Sequence, residues 1–279
     1  MTNMQNKPLI SVITVCFNSS KTIRKTIESM IAQTYDHYEH IFVDGGSSDG
    51  TVELIESYAA QYGERLRLHT GKDKGIYDAM NKGIAMAKGE VIGIINSDDW
   101  YDPTALAEVA RVYGEQPDPM VVITGNLVRT TIDEEFLYLQ KHNNNSITLA
   151  GLTAGMPLQH PAVFVAKLVY ETIGTFDISF RYLADYDFIW RCFDSKKVRF
   201  AFTGTTTSYM REGGASDTFR FKNIRERTVE RYRLRKRYLG KFKAFLTSAK
   251  FFVTEVSKQS VKRILPMKLK EKYYNRKHR

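Results

Sequence analysis

Between residues 9 and 124, short apolar runs of strand length alternate with stretches of helical spacing, and this alternation limits the fold more than any other feature of the chain. Residues 9–17 (LISVITVCF) are an apolar, β-branched run stopped by Asn18-Ser19-Ser20. Residues 21–33 then set Ile23, Ile27, Met30 and Ile31 on one helical face. Residues 39–44 (EHIFVD) form a second run closed by Asp44 and the turn Gly45-Gly46-Ser47-Ser48. Ser48 or Asp49 is placed to cap a helix through Val52, Leu54, Ile55 and Tyr58. A third strand over 66–69, a helix over 76–87 and a fourth strand over 90–95 (EVIGII) follow. Pro103 opens a further helix, and 120–124 is a further strand.

Such alternation predicts an α/β fold, a Rossmann-like, mainly parallel sheet flanked by helices. Ligands of these sheets bind beyond the carboxyl ends of the strands. Asn18, Asp44 and Asp98 each follow a strand end, so they are expected to converge on one crevice.

After Gly125 the pattern changes. Residues 126–131 and 136–140 read as antiparallel strands, 143–145 as a loop and 161–165 as a short apolar stretch. A helix over 186–192 starts after Asp185, 198–202 reads as a strand, and 211–216 (REGGAS) as a flexible loop. From 218 to 279 there are 21 Lys and Arg against 4 Asp and Glu, a balance of +17, whereas the first 217 positions hold 20 against 27, or −7. The expected organisation is a body over 1–217 and a basic helical tail over 218–279, in one or two helices, with Pro266 its one proline. Phe242, Phe245, Leu246, Phe251, Phe252, Val256 and Val261 can form an apolar stripe on it. A basic amphipathic helix of this kind lies in a membrane interface, or packs its stripe on the body.

Several classes are disfavoured. No CxxC or Cys/His cluster exists, which argues against zinc, and Cys16 and Cys192 read as free, buried thiols of a reducing compartment. GxGxxG and GxxxxGK[ST] are both missing, which argues against a dehydrogenase or P-loop enzyme. Residues 1–8 are polar, and no run approaches the roughly 18 apolar residues of a membrane span, so the expected location is the cytoplasm. No nucleic-acid motif accompanies the basic tail, so no nucleic-acid partner is expected.

The chemistry-bearing cluster is Asn96-Ser97-Asp98-Asp99. Adjacent carboxylates at a strand end repel unless a cation sits between them, and hard oxygen ligands favour Mg²⁺ or Mn²⁺. The same residues also suit an acidic turn, with Asp99 or Asp102 capping the next helix. Asp44 can accept from a base N–H or a ribose hydroxyl, or simply form the turn before Gly-Gly.

Five ordered segments, SVITVCFN (11–18), FVDGGSSDGT (42–51), KGIYDAMNKG (74–83), NSDD (96–99) and ADYDFIWR (184–191), resemble inverting family 2 glycosyltransferases of the A-type fold and the bacterial cell-surface polysaccharide type. The likeness spans roughly 8–216. It implies that Thr14, Phe17 and Asn18 end the nucleotide-contacting first strand, that Asp44 and Ser47 read the base, and that Lys74, Gly75, Asp78 and Asn81 line the donor. It further implies donor contact by Ser97, metal binding by Asp98 and Asp99, and Asp185 as general base, with Asp187 its rival. His160 is implied on the acceptor side, and Arg211 in a closing segment that pairs with the diphosphate. Two positions depart from the pattern: Asn96 replaces the usual first Asp of the metal motif, and Ala184 the usual Glu before Asp185. The implied activity is transfer of a sugar from a nucleotide sugar, a UDP-sugar, with Mn²⁺ or Mg²⁺. The implied acceptor is glycan or lipid-diphosphate-linked, at the inner face of the cell membrane. The departures motivate an alternative, a nucleotide-binding or membrane-surface module of a polysaccharide assembly complex without catalysis.

Overall fold

A computed structural model describes residues 7–116, 118–213 and 221–264. The first half of the chain runs β1 (Ile10–Cys16), α1 (Ile23–Ile31), β2 (Tyr38–Asp44), α2 (Thr51–Ser57), α3 (Ala59–Tyr62), β3 (Leu66–Thr70), α4 (Ile76–Met86), β4 (Val91–Asn96), β5 (Trp100–Tyr101) and α5 (Ala105–Gly114). It continues through β6 (Val121–Thr130), β7 (Phe136–Gln140), α6 (Leu149–Ala154), β8 (Val163–Ala166), α7 (Lys167–Ile173), α8 (Ala184–Ser195) and β9 (Arg199–Arg211). Two long helices, α9 (Phe221–Leu239) and α10 (Lys241–Ile264), follow.

The strands form one sheet in the order β3-β2-β1-β4-β8-β6-β9-β5, with β7 paired to β6. Strands β3, β2, β1 and β4 are parallel neighbours, and β8 enters antiparallel beside β4. Every residue of β1 and β2 is buried, which explains why both read as continuous apolar runs rather than alternating ones. Their polar members are paired inside the sheet. Ser11 donates to Glu39 at 2.6 Å, and Glu39 also meets Arg67 at 3.1 Å.

His40 lies wholly inside this core, with Nε2 2.9 Å from the Thr14 hydroxyl and Nδ1 2.7 Å from the Tyr62 hydroxyl. Burial lowers its pKa to about 3. The unfolded chain titrates near pH 6.5 and so binds more protons than the folded chain between those values. Stability is therefore expected to fall as pH drops below about 6.5, by on the order of 1 kcal/mol per unit. Urea midpoints of wild type and His40→Gln between pH 4 and 7 check this: the variant should lose much of the acid-limb slope.

Some boundaries differ from the sequence pattern. β6 runs unbroken across 121–130, because the Gly125 position lets the Thr207 side chain approach; a Cβ there would lie 2.2 Å from it. β9 extends to Arg211, so that residue closes a strand instead of opening a loop, and 214–216 lie outside the described residues. Asp185 sits in the first turn of α8, whose N-cap is Leu183. Gly50, not Ser48 or Asp49, is the N-cap of α2, and Asp49 instead accepts from the Thr51 amide. Both cysteines are free and buried. Among the described residues no helix is long and apolar enough to cross a membrane.

The basic tail helix α9 packs on the body. Leu234 is fully buried, Tyr238 stacks on Trp190 at 4.6 Å, and Glu230 accepts from the amides of Arg181 and Tyr182.

Candidate functional site

Parallel register aligns the carboxyl ends of four strands. Cys16 pairs with Asp44, Val15 with Asn96, and Asp44 with Thr70. The loops leaving these ends are tied to one another. Asn18, in left-handed backbone (φ 50), donates its amide to Ser47 Oγ at 2.8 Å and accepts from the Ser48 amide at 3.0 Å. Ser20 N reaches Asp49 at 3.0 Å, and Ser97 Oγ meets Ser19 Oγ at 2.8 Å. The loops that carry Asn18, Ser47 and Ser97 are thus joined to one another.

Asp44 is buried beneath this knot. One carboxylate oxygen accepts from the amides of Gly46 and Ser47, each at 2.9 Å, and the other accepts from the Ser47 hydroxyl. The Asp therefore builds the turn as well as standing at the crevice. Phe17 projects beside it, 63% exposed, an apolar face open to a planar ligand. Thr14 does not join them: it is fully buried in β1, with its hydroxyl turned to His40.

On the β3 side, Gly75 (φ 129) precedes α4 in a conformation that suits glycine. Asp78 accepts from the Lys74 amide at 3.0 Å, which lowers its pKa, as Lys82 at 3.5 Å does further. Lys82 also pairs with Asp73, whose carboxylate lies against Gly45 and so joins this cluster to the Asp44 turn. Asn81, one turn on from Tyr77, donates its amide to the Phe176 carbonyl and accepts from the Phe176 amide, tying α4 to the segment that leads into α8.

At the end of β4, Asp98 is half-buried and Asp99 almost fully buried. Asp99 accepts from Asn96 Nδ2 at 3.0 Å and from the Arg211 amide at 3.1 Å. Burial, and then the neighbouring Asp98, push its pKa up to about 8. Asn96 Oδ1 is buried with no hydrogen-bond partner among the described residues. Among the described residues no group of three or more His, Cys, Asp and Glu gathers as a metal cage. Arg211 is held at the strand end, its guanidinium paired with Glu134 and lying 5.5 Å from the Trp100 ring centroid.

The first turn of α8 supplies two carboxylates with contrasting surroundings. Asp187 is fully buried and accepts from Arg191 and Arg237, each at 2.9 Å. Asp185 is half-buried and accepts from the Tyr77 hydroxyl at 3.0 Å and from the Tyr186 amide at 2.8 Å. Burial and the Asp185 charge hold Tyr77 well above the usual phenol range, so it donates as a neutral hydroxyl. His160 feels the same carboxylate: desolvation lowers its pKa while Asp185 opposes the shift, and its Nε2 is buried without a hydrogen-bond partner. Tyr77, Asp73 and Lys82 were not singled out from sequence, although Tyr77 and Lys82 lie inside the 74–83 motif.

The profile of Glycosyl transferase family 2 matches residues 11–167. A "PGL/p-HBAD biosynthesis glycosyltransferase" of Mycobacterium bovis is 30% identical over 222 residues, covering 79% of this chain and 84% of the relative. Among solved structures, Staphylococcus aureus TarS 1-349 in complex with UDP-GlcNAc superposes with a TM-score of 0.58 at 17% identity, over 87% of this chain and 71% of that one. In a longer TarS chain the same region is 42% of the whole. Mannosyltransferase PcManGT from Pyrobaculum calidifontis, in complex with GDP-Man and Mn²⁺, gives a TM-score of 0.59 at 16% identity, over 90% and 76%. These likenesses establish the A-type glycosyltransferase fold, with its mainly parallel sheet flanked by helices and with helices at its C-terminal end. With the profile covering more than half of the sequence, and a glycosyltransferase relative matched along most of its length, the chain belongs to glycosyl transferase family 2.

Proposed function

We propose that this chain transfers a sugar from a nucleotide-sugar donor, a UDP-sugar, to an acceptor hydroxyl by single displacement with inversion, with Asp185 as general base. The contrast between Asp185 and Asp187 carries the reading. Asp187 is fully buried and paired with two guanidiniums. Asp185 accepts from two neutral donors, the Tyr77 hydroxyl and the Tyr186 amide, and shares its surroundings with His160 and Tyr77. A carboxylate placed like Asp185 can take the proton of an attacking hydroxyl. In that step the acceptor oxygen bonds to the anomeric carbon as the bond to the diphosphate breaks. The proton passes to Asp185, and the electron pair leaves with the nucleoside diphosphate.

Phe17 and the Asp44–Ser47 turn suit the nucleoside, and Lys74 and Asp78 suit the donor beyond it. The described residues fit Mn²⁺ or Mg²⁺ in a limited way. Asp98 provides a half-buried carboxylate, Asn96 Oδ1 is an oxygen without a hydrogen bond, and Asp99 braces the turn. A cation that keeps several waters and takes further oxygens from a diphosphate needs no larger cage. When bound, it would neutralise charge on the leaving group. The ligands of the solved neighbours support this donor and metal class: UDP-GlcNAc in the TarS complex, and GDP-Man with Mn²⁺ in the PcManGT complex.

The acceptor is read as glycan or lipid-linked, and the chain as acting at the cytoplasmic face of a membrane. Supporting this are Phe242, Phe245, Leu246 and Val253 of α10, all exposed beside Lys241, Lys243 and Lys250. In this reading catalysis belongs to 1–217, and 218–279 makes the membrane contact.

A thermal-shift screen of nucleotide sugars with and without Mn²⁺ tests the donor assignment. At about 100 times its dissociation constant, the correct UDP-sugar should add roughly 2.7 kcal/mol of stability, and EDTA should diminish the gain. A shift with no nucleotide sugar under either condition would remove the reading. A shift without turnover on any lipid or glycan acceptor would favour the non-catalytic module.

A further inference from the structure

Helix α9 carries eight Lys and Arg against two Asp and Glu, and most of its length lies against other elements. Its outer arginines are paired in the ordinary way: Arg233 and Arg237 reach Asp177, and Arg237 also reaches Asp187. A second set is arranged differently. Arg227, Arg231 and Arg235 recur every fourth residue and therefore share one face. Arg235 is 1% exposed and Arg231 7%. Among the described residues, Nε and Nη1 of both meet no hydrogen-bond partner. Arg235 Nη2 reaches the Ala154 carbonyl, at 3.3 Å, at the end of α6.

Aromatic faces cover Arg231, with the Phe251 ring of α10 at 4.0 Å and the Tyr186 ring of α8 at 5.4 Å. Burial first, and then the neighbouring Arg235 and Arg227, lower the Arg231 pKa to about 10 against the opposing effects of Tyr186 and Glu255. Stacked guanidiniums with unused N–H groups in a buried place are costly unless an anion completes them. The planar fork of arginine matches phosphate oxygens in particular.

We propose that Arg231 and Arg235, between α8, α9 and α10, form a binding site for a phosphate-type anion, separate from the crevice at the strand ends. α10 covers the site and joins α9 through Gly240 (φ 75).

The test is a binding measurement on the full chain in EDTA, free of nucleotide, so that failure of the transfer reading cannot imitate failure of this one. The probes are inorganic phosphate, and vesicles of phosphatidylglycerol against phosphatidylcholine. Wild type is compared with Arg235→Met, Arg231→Gln and, as a charge-matched control on the exposed side, Lys236→Met. Near 100 times its dissociation constant, phosphate should raise the wild-type Tm by roughly 5–10 °C. Lys236→Met should keep that rise, and Arg235→Met and Arg231→Gln should lose it. Selective binding to phosphatidylglycerol that the buried-site variants lose and Lys236→Met keeps, with no response to free phosphate, also supports the site and names a lipid headgroup as its source. Equal responses of Arg235→Met and Lys236→Met to both probes would overturn it, as would no response of wild type to either. If Arg235→Met does not fold, Arg231→Gln decides by the same comparison.

Discussion

Asp185→Asn is expected to lower kcat by about a hundred- to ten-thousand-fold, the range set by loss of a positioned general base. The amide is close in shape and its oxygen still accepts from the Tyr77 hydroxyl and the Tyr186 amide, so Tm and donor KM should stay near wild type. It cannot take the proton released when the acceptor hydroxyl attacks. Initial rates of nucleoside diphosphate release at saturating donor and acceptor, beside a melting curve of the same preparation, separate the two effects. A variant retaining kcat within about tenfold would end the assignment of the base to this residue.

Asp187→Ala should fail in a different way. Its carboxylate is fully buried and joins Arg191 of its own helix to Arg237 of α9. Removing one member of a buried pair typically costs about 3–5 kcal/mol, because the remaining charge is left uncompensated. Both arginine partners keep some exposure to water, so a loss of about 2–4 kcal/mol is expected, together with looser docking of α9. Chemical denaturation should show a lower midpoint, and limited proteolysis should cut the C-terminal helices earlier. Turnover of the folded fraction should change far less than for Asp185→Asn. Full stability with abolished kcat would reverse the roles of the two carboxylates.

The parallel half of the sheet was legible because its burial is written in continuous apolar runs, and because polar residues mark where each strand ends. Asn18, Asp44, Ser47 and Ser97 stand together for that reason. Other features depend on partners distant in sequence. β9 contains Thr203-Gly204-Thr205-Thr206-Thr207-Ser208, which has no apolar alternation, and it is a strand because β6 and β5 pair with it. The separate states of Asp185 and Asp187 could not be told apart on a local pattern. They follow from Arg237, fifty positions further on, and from Tyr77 on another helix. The buried arginines of α9 look like a solvated basic face in sequence, and only the packing of Tyr186 and Phe251 over Arg231 shows otherwise.

The linked loops at the strand ends bear on the thermodynamics of ligand capture. Asn18 is fastened to Ser47 and Ser48, Ser20 to Asp49, and Ser19 to Ser97, so loops from three strands have already given up their separate freedom. A nucleotide spanning them meets a surface whose ordering was completed during folding, and its affinity is spared most of that entropic loss. Damage should propagate on the same account. Ser47→Ala removes an acceptor from the Asn18 amide and a donor to Asp44 together, so it loosens two loops from one position.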